Sequence, residues 1–459
     1  MTFKQAINLF PLFKNIYEQL VIKTSMGRDW LFGLEFSQDK EYLQRQYALT
    51  QDCQNFIANL SQNDKMLLEC VLYDIHNISG SLRLIQQKEV LDDVGLFEVK
   101  AFCLACKRLK AMIKPLKSKE FVFNDLQDVI TLLDPEGLEV NQFYIYPAYD
   151  ERLSGERKLF EKYKKEENPL ANEVYEKICA IENEVRERLC TELLPKCKRI
   201  QEDIFRLALL DISIAKAELN IELNLVVPSL SDETLLSYKG IFNPVIKQAL
   251  LKRGKDFQAI DIEVKSAPVL ITGANMAGKT VVLKTLALAQ LLAQFGFFVP
   301  CESCIICLVE NVLTSIGDNQ NEAEGLSSFA SEILCLNSII KNIKTGKRYL
   351  VLVDELARTT NPVEGVKLLN GFISTLHLGN SLSVTTTHYS DIAAPCERLR
   401  VRGFIRKNLA SPVSIENLAD NIDYSLIADN SNEAPTEAVN LCELLGIDKD
   451  WIENTKKSN

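Results

Sequence analysis

The 459-residue sequence lacks the features that mark membrane and secreted proteins. It contains no apolar run of roughly 18 or more residues, the length needed to cross a bilayer. Its first ten residues, MTFKQAINLF, lack a basic segment followed by an apolar core, so they do not resemble a secretory signal. Acidic residues outnumber basic ones, and the net charge of −10 argues against a protein that coats nucleic acid through bulk charge, while it leaves a local basic patch open. These absences predict a cytoplasmic protein without a membrane partner.

Histidine is scarce, and the cysteines do not form an obvious disulfide set. The three histidines are His76, His377 and His388, which excludes a multi-histidine metal site. Because no export signal is present, the thirteen cysteines are expected to be reduced core residues. The run Cys301, Cys304 and Cys307 has the spacing of a cluster-binding site but lacks a fourth ligand at suitable spacing. We therefore favour core cysteines there over a metal or redox site.

The first half of the sequence has the pattern of a helical domain. Apolar residues recur there at three- and four-residue spacings, and prolines are few. A long helical run is predicted over residues 173–223, with Pro195 kinking or dividing it. After residue 223 short apolar runs appear, and from Val269 strands alternate with helices, which predicts a parallel sheet with helices on both faces. The strands expected in this sheet are residues 269–272, 304–307, 349–354 and 381–388. The predicted domains are a helical domain (1–225), an α/β domain (226–430) and a C-terminal helical segment (431–459).

One motif in the second half has the form of a phosphate-binding loop. It fits the pattern G-x-x-x-x-G-K-[ST] and consists of Gly273, Ala274, Asn275, Met276, Ala277, Gly278, Lys279 and Thr280. It follows an apolar strand and opens a helix, so backbone N–H groups and the positive end of the helix dipole would surround the phosphates. Lys279 is expected to neutralise the β- and γ-phosphates of ATP, and the Thr280 hydroxyl to bind Mg²⁺.

Two later strands end in side chains that suit the same chemistry. The apolar strand 349–353 runs into Asp354 and Glu355. Asp354 is predicted to hold Mg²⁺, and Glu355 to act as the general base that activates the attacking water. The strand 383–387 ends at His388, which is predicted to contact the γ-phosphate or to position that water. The sequence therefore predicts an ATP hydrolase with Mg²⁺ as cofactor.

Taken together, these motifs resemble those of the MutS family. The phosphate loop carries the family's Asn-Met pair, and the other motifs follow in the family's order. The matching segments are residues 272–280, 315–320, 324–329, 354–365 and 387–389. The similarity is strong after residue 265 and weaker before it, where residues 26–31 resemble the start of the family's helical core and residues 205–217 the helix that returns to the ATPase.

This resemblance implies a helical lever domain followed by an ABC-type P-loop ATPase domain. In the family, two ATPase modules pair head to tail, so Ser327 would reach the γ-phosphate of ATP held by a second copy or by a related subunit. Residues 431–459 resemble the family's dimer-stabilising end. Pro244 resembles the segment beside the adenine, although Asn243 stands where the family has histidine.

The sequence departs from the DNA-gripping members in two places. The span between Arg157 and Glu173 leaves no room for a β-rich DNA clamp, and the domain that reads mismatches is not expected ahead of the helical core. Two functions remain open at this point. One is a MutS-type ATPase that binds mismatched or branched DNA. The other is an ATPase chaperone for a protein client such as a cobalamin-dependent lysine or ornithine aminomutase, because residues 357–362 resemble that branch. A metabolic kinase is disfavoured, because no phosphoacceptor site is evident.

Overall fold

The computed structural model describes residues 1–140, 142–273, 277–317, 328–358, 360–377, 379–404, 421–429, 442 and 445–457. The chain divides into two compact units. The helical unit consists of Leu20–Gly33 and Ala48–Glu218. The sheet unit consists of Met1–Gln19, Leu34–Tyr47 and Leu219–Asn459. No described helix is both long enough and apolar enough to span a bilayer.

Helices are numbered in chain order through both units. They are α1 (Phe3–Leu9), α2 (Pro11–Tyr17), α3 (Ser25–Gly33), α4 (Lys40–Ala58), α5 (Gln62–Tyr73), α6 (Ser79–Gln86), α7 (Asp93–Met112), α8 (Gln127–Leu133), α9 (Arg152–Lys165), α10 (Ala171–Leu193), α11 (Cys197–Leu223), α12 (Pro244–Leu251), α13 (Lys279–Gln294), α14 (Ser328–Ile343), α15 (Pro362–Leu376) and α16 (Lys449–Lys457).

The helical unit confirms the pattern read from the first half of the sequence. Its core is a continuous cluster of apolar side chains, to which α7 contributes Leu96, Val99 and Leu109. The predicted effect of Pro195 is confirmed, because α10 ends at Leu193 and the single 3₁₀ turn Leu194–Lys196 separates it from α11. Between α9 and α10 lie only residues 166–170, so no β-rich insertion stands there.

The sheet unit contains two sheets. Its strands are β1 (Ser229–Ser231), β2 (Leu236–Ile241), β3 (Ile260–Val264), β4 (Val269–Thr272), β5 (Ser303–Cys307), β6 (Val312–Ser315), β7 (Leu350–Val353), β8 (Leu382–Thr387), β9 (Glu397–Phe404) and β10 (Ile422–Ala428). The larger sheet has the order β10-β9-β4-β8-β7-β6, with every pair parallel except β10 with β9. The smaller sheet has the order β1-β5-β2-β3.

The predicted parallel sheet is therefore confirmed, but one strand was assigned to it wrongly. The run Cys304–Cys307, expected in the parallel sheet, lies in β5 of the smaller sheet, where it pairs with β1 and β2. The parallel sheet instead contains β6, which begins after the four intervening residues 308–311 and pairs with β7. Short apolar runs indicate a buried strand without indicating its partner, and this ambiguity caused the error.

The N-terminal residues contribute to the core of the sheet unit. Phe3 packs against Phe13, Phe295 and Phe297, with ring centroids 4.9, 5.2 and 5.9 Å away. The end of α13 is held further by the Gln294 side-chain amide, whose Nε2 donates to the backbone oxygen of Ser37 at 2.8 Å. These contacts fix the far end of the helix that begins at the glycine-rich loop.

The parallel pairing also determines where the polar strand ends meet. Thr272 of β4 lies opposite Thr387 of β8, and Thr385 of β8 lies opposite Val353 of β7. Carboxyl ends of neighbouring parallel strands lie at one edge of the sheet, where ligands of open α/β sheets bind. The residues that follow these strands therefore meet at this edge.

Candidate functional site

The glycine-rich loop leads from β4 into α13. Gly278 has φ +78°, a left-handed conformation that favours glycine, and a Cβ atom there would lie 3.1 Å from the Tyr424 ring. Lys279 is the first residue of α13; its side chain is 5% exposed, and its Nζ donates to the Gly273 backbone oxygen at 2.8 Å. Ala277 is buried beside it. The predicted loop residues Ala274, Asn275 and Met276 lie outside the described residues.

Asp354, at the end of β7, is fixed on both carboxylate oxygens. Thr280 Oγ1 donates to one oxygen at 2.6 Å, and Thr386 Oγ1 of β8 donates to the other at 2.6 Å. The Asp354 backbone N–H donates to the Ser315 oxygen at 2.9 Å. The structure thus brings together Thr280 and Asp354, the two residues predicted to bind Mg²⁺, as a pair of hard oxygen donors.

Glu355 lies between the two other predicted catalytic side chains. Its Oε1 is 3.2 Å from Lys279 Nζ, and its Oε2 is 3.7 Å from His388 Nδ1. The Glu355 side chain is 16% exposed, and the Glu355 backbone N–H donates to the Thr386 backbone oxygen at 3.1 Å. Among the described residues, the buried His388 Nδ1 has no hydrogen-bond partner. All three residues therefore converge on one point at the sheet edge.

A mostly apolar cavity of about 410 Å³ opens beside Gly278. Its volume lies within the range of small-molecule sites. The lining side chains come from α12, α13, β10 and the segment before β3, and include Ile246, Leu250, Phe257, Gln258, Val281 and Tyr424. The sequence did not single out Phe257, Gln258 or Tyr424, because only the pairing of β10 with β9 and of β9 with β4 places Tyr424 beside Gly278.

Gln258 joins two walls of this cavity. Its Nε2 donates to Asp423 Oδ1 at 2.8 Å, and its Oε1 accepts the Tyr424 backbone N–H at 2.9 Å. Partial burial opposes ionisation of Asp423, but hydrogen bonds from Gln258 and Ser425 and the nearby Arg402 cation outweigh it and lower the Asp423 pKa to about 2. The wall that carries Tyr424 is thus held by charge-assisted hydrogen bonds.

The predicted adenine-side residue Pro244 lies near this cavity but does not line it. Pro244 is buried as the first residue of α12, where its fixed φ suits a helix start. Asn243 caps the same helix by accepting the Ile246 N–H at 3.2 Å, and its Nδ2 donates to Thr285 Oγ1 at 3.3 Å. On α12, Ile246 and Leu250 reach the cavity instead.

Two further predictions concern the partner-facing residues and the cysteine run. Ser327, predicted to act on a partner's nucleotide, lies outside the described residues, as does most of the predicted dimerisation segment 431–459 apart from α16. Cys301, Cys304 and Cys307 are buried. Within the described part of the chain, no group of three or more His, Cys, Asp or Glu side chains could by itself hold a metal ion.

Comparisons with known proteins agree with this arrangement. Residues 269–455 match the family described as MutS domain V, a span that includes the glycine-rich loop and all three strand ends. The DNA mismatch repair protein MutS of Chloroflexus aurantiacus is 32% identical over 57% of this chain. The Endonuclease MutS2 of Ligilactobacillus salivarius is 32% identical over 58% of it. Residues 269–455 of the chain belong to the MutS domain V family.

The similarity extends beyond the segment that matches MutS domain V. The Endonuclease MutS2 of Enterococcus faecalis is 27% identical over 97% of the chain, so it includes the helical unit as well. The chain spans 27%, 32% and 56% of the lengths of these three relatives, in the order given. The predicted resemblance to the MutS family is confirmed.

Proposed function

We propose that this chain hydrolyses ATP with Mg²⁺ as cofactor. The observation that carries the proposal is the convergence of Lys279, Thr280, Asp354 and Glu355 at one edge of a parallel sheet, where a glycine-rich loop enters a helix. A loop of this kind directs backbone N–H groups and the positive helix end towards an anion. Two sequence segments far apart in the chain thus supply the cation, the metal ligands and the base that phosphoryl transfer to water requires.

The donor set fits Mg²⁺ as this ion is held in nucleotide sites. Mg²⁺ prefers hard oxygen ligands and is usually bound by one or two protein carboxylates, with water and phosphate oxygens completing its shell. Thr280 and Asp354 supply one hydroxyl and one carboxylate, 2.6 Å apart. When bound, Mg²⁺ and ATP supply charge neutralisation and the phosphoanhydride bond that is cleaved. Thr386 keeps the second Asp354 oxygen occupied, so the carboxylate presents a fixed edge.

Glu355, Lys279 and His388 have separate proposed roles in hydrolysis. Glu355 is the proposed general base, since it is the carboxylate beside Lys279 that Thr280 and Thr386 do not occupy. Lys279 places a buried positive charge where the transferred phosphoryl group develops negative charge. His388, 3.7 Å from the base, is placed to orient the attacking water or to contact the γ-phosphate.

The cavity beside Gly278 is proposed to hold the nucleoside. Replacing Tyr424 with alanine is expected to raise the KM for ATP about two- to twelvefold, because an aromatic contact contributes about 0.5–1.5 kcal/mol. The kcat should change little, since Tyr424 lines the cavity and is not among the residues proposed to carry out hydrolysis. Steady-state kinetics would measure both constants, with Tyr73→Ala, at an exposed tyrosine of the helical unit, as the matched control. An unchanged KM in Tyr424→Ala would show that the nucleoside does not bind in this cavity.

DNA is the partner that we propose for the ATP cycle. The printed names of the relatives concern DNA mismatch repair and an endonuclease. The helical unit adds an observation of its own, because every charged residue between positions 107 and 119 is basic, in a chain with a net charge of −10. All six are exposed, and among the described residues only Lys107 forms an ion pair, with Glu139. We call residues 107–119 the basic segment. Its charge suits a phosphate backbone.

Neutralising the basic segment should therefore weaken DNA binding in a salt-dependent way. The logarithm of the DNA-binding constant falls as the logarithm of the salt concentration rises. If Lys110, Lys114 and Lys117 each contact a phosphate, the triple alanine variant should make this negative slope shallower by about 2–3. Fluorescence anisotropy with homoduplex, mismatched and four-way-junction DNA at several salt concentrations would measure this slope. The matched control is the triple alanine variant of Lys14, Lys341 and Lys344, which are exposed lysines of the sheet unit.

The same DNAs should stimulate ATP turnover by the unaltered protein at low salt. Stimulation by one structure above the others would identify the DNA that the chain recognises. ATP turnover that is indifferent to every DNA, together with no binding at low salt, would contradict DNA as the partner while leaving the hydrolase proposal in place.

A further inference from the structure

The turn that follows the proposed general base has an unusual backbone. We call residues 354–358 the Ala357 turn. Glu355 has φ +48° and Ala357 has φ +60°, so two non-glycine residues within three positions adopt the left-handed conformation. Side chains with a Cβ atom rarely adopt this conformation unless the surroundings impose it, and such residues concentrate at functional sites.

Side chains from two other elements hold Ala357 by both of its backbone polar groups. The Ala357 N–H donates to Glu332 Oε1 of α14 at 2.9 Å. The Ala357 oxygen accepts the Tyr389 hydroxyl at 2.7 Å. Leu356 and Ala357 are 1% and 0% exposed. The Ala357 oxygen also accepts the Thr360 backbone N–H at 3.2 Å. Since the polar groups of a buried residue need partners, these hydrogen bonds stabilise the observed conformation of Ala357.

The surroundings of Glu332 and Tyr389 hold these two side chains in place. Glu332 is half-buried, and burial raises its pKa, although the bond from Ala357 and the nearby Arg358 act in the opposite direction. The Tyr389 ring lies so close to α15 that a Cβ atom at Gly365 would be 2.6 Å from its hydroxyl. Glycine is therefore required at position 365 to leave room for the tyrosine. The Tyr389 N–H is fixed in turn by Thr387 Oγ1 at 3.0 Å.

We propose that Glu332 and Tyr389 are positioning residues that fix the Ala357 turn and thereby aim the Glu355 carboxylate at the attacking water. This inference rests on the proposed hydrolase function. Glu355 belongs to the same turn, two residues before the atoms that Glu332 and Tyr389 hold. Without those hydrogen bonds, Ala357 can relax to right-handed conformations, and the backbone of Glu355 rotates with it. A displacement of about 1 Å can reduce a rate by as much as 10²-fold.

Kinetic constants of substituted proteins test this role. Glu332→Ala and Tyr389→Phe are each expected to lower kcat about tenfold or more, a fraction of the 10²–10⁴-fold that a general base contributes. KM and ATP affinity, measured with a fluorescent ATP analogue, should stay within about twofold, because neither side chain lines the nucleoside cavity. Asn337→Ala, an exposed polar position on α14, is the matched control.

Two rescue variants separate positioning from a loss of folding. Glu332→Gln should retain most of the kcat, because its amide oxygen can still accept the Ala357 N–H. Ala357→Gly combined with Glu332→Ala should recover several-fold of the lost kcat, because glycine adopts the left-handed conformation without a Cβ penalty. Thermal unfolding of each variant shows whether the protein remains folded.

The outcomes distinguish this inference from the function on which it rests. An unaltered protein that hydrolyses ATP, alongside Glu332→Ala and Tyr389→Phe at unaltered kcat, would overturn the positioning role alone. So would equal losses in both glutamate variants with no recovery from Ala357→Gly, which would indicate a structural role. An unaltered protein that does not hydrolyse ATP would overturn the proposed function and this inference together.

Discussion

Replacing Lys279 with alanine is expected to abolish measurable ATP turnover. Lys279 is buried at the first position of α13, and its Nζ lies 3.2 Å from Glu355 Oε1. Removal of one electrostatic contact to a transition state commonly lowers kcat by about 10²–10³-fold, and here a full positive charge is lost. ATP affinity should fall as well, since the ammonium group interacts with phosphates in both the ground and transition states.

Steady-state phosphate release and equilibrium binding of a fluorescent ATP analogue would measure the two effects of Lys279→Ala. Lys284→Ala is the matched control, because Lys284 lies on the same helix but is exposed. Turnover at the unaltered rate in Lys279→Ala would exclude the glycine-rich loop as the phosphate site. It would also remove the main support for ATP hydrolysis.

The second large effect is expected from Glu355→Gln. Glutamine has nearly the same shape but cannot take a proton from water, so kcat should fall by about 10²–10⁴-fold. ATP should still bind, because Lys279, Thr280 and Asp354 are unchanged. Loss of the Glu355 charge also removes its ion pair with Lys279 and frees that cation for phosphate. We therefore expect equal or tighter ATP binding together with very slow turnover.

Single-turnover hydrolysis and ATP binding by Glu355→Gln would be measured side by side. The exposed Glu364, in the first turn of α15, provides a control substitution to glutamine that should leave both quantities unchanged. Hydrolysis at the unaltered rate would show that another group is the base, and His388 would be the next candidate. Loss of binding together with hydrolysis would instead assign Glu355 a structural role.

Much of the candidate site formed by Lys279, Thr280, Asp354 and Glu355 could be predicted from sequence, because each part is encoded by neighbouring residues. The glycine-rich loop is a run of consecutive residues, and its glycines, lysine and threonine are needed at fixed spacing. Asp354 and Glu355 follow an uninterrupted apolar run, which is typical of a buried parallel strand. Once the strands are parallel, their carboxyl ends must share an edge, so His388 was expected near Glu355 and lies 3.7 Å from it.

The features that were missed depend on pairing between distant segments. Tyr424 belongs to a short strand whose own residues do not show that it lies beside Gly278. Glu332 occupies an ordinary position in a helical pattern, and only the packing of α14 brings it to the Ala357 N–H. The exchange of β5 for β6 in the parallel sheet has the same cause, since an apolar run predicts burial but not its neighbour.

The sequence by itself determined the resemblance to the MutS family, the parallel sheet and the side chains at the ends of its strands. These follow from local backbone preferences, the spacing of apolar residues and short motifs, all of which reside in neighbouring residues. Only the tertiary structure decided the cavity beside Gly278, the support of the Ala357 turn and the inclusion of residues 1–19 in the sheet unit. Each of these depends on side chains that are far apart in the sequence and meet only when the apolar faces of their elements pack together.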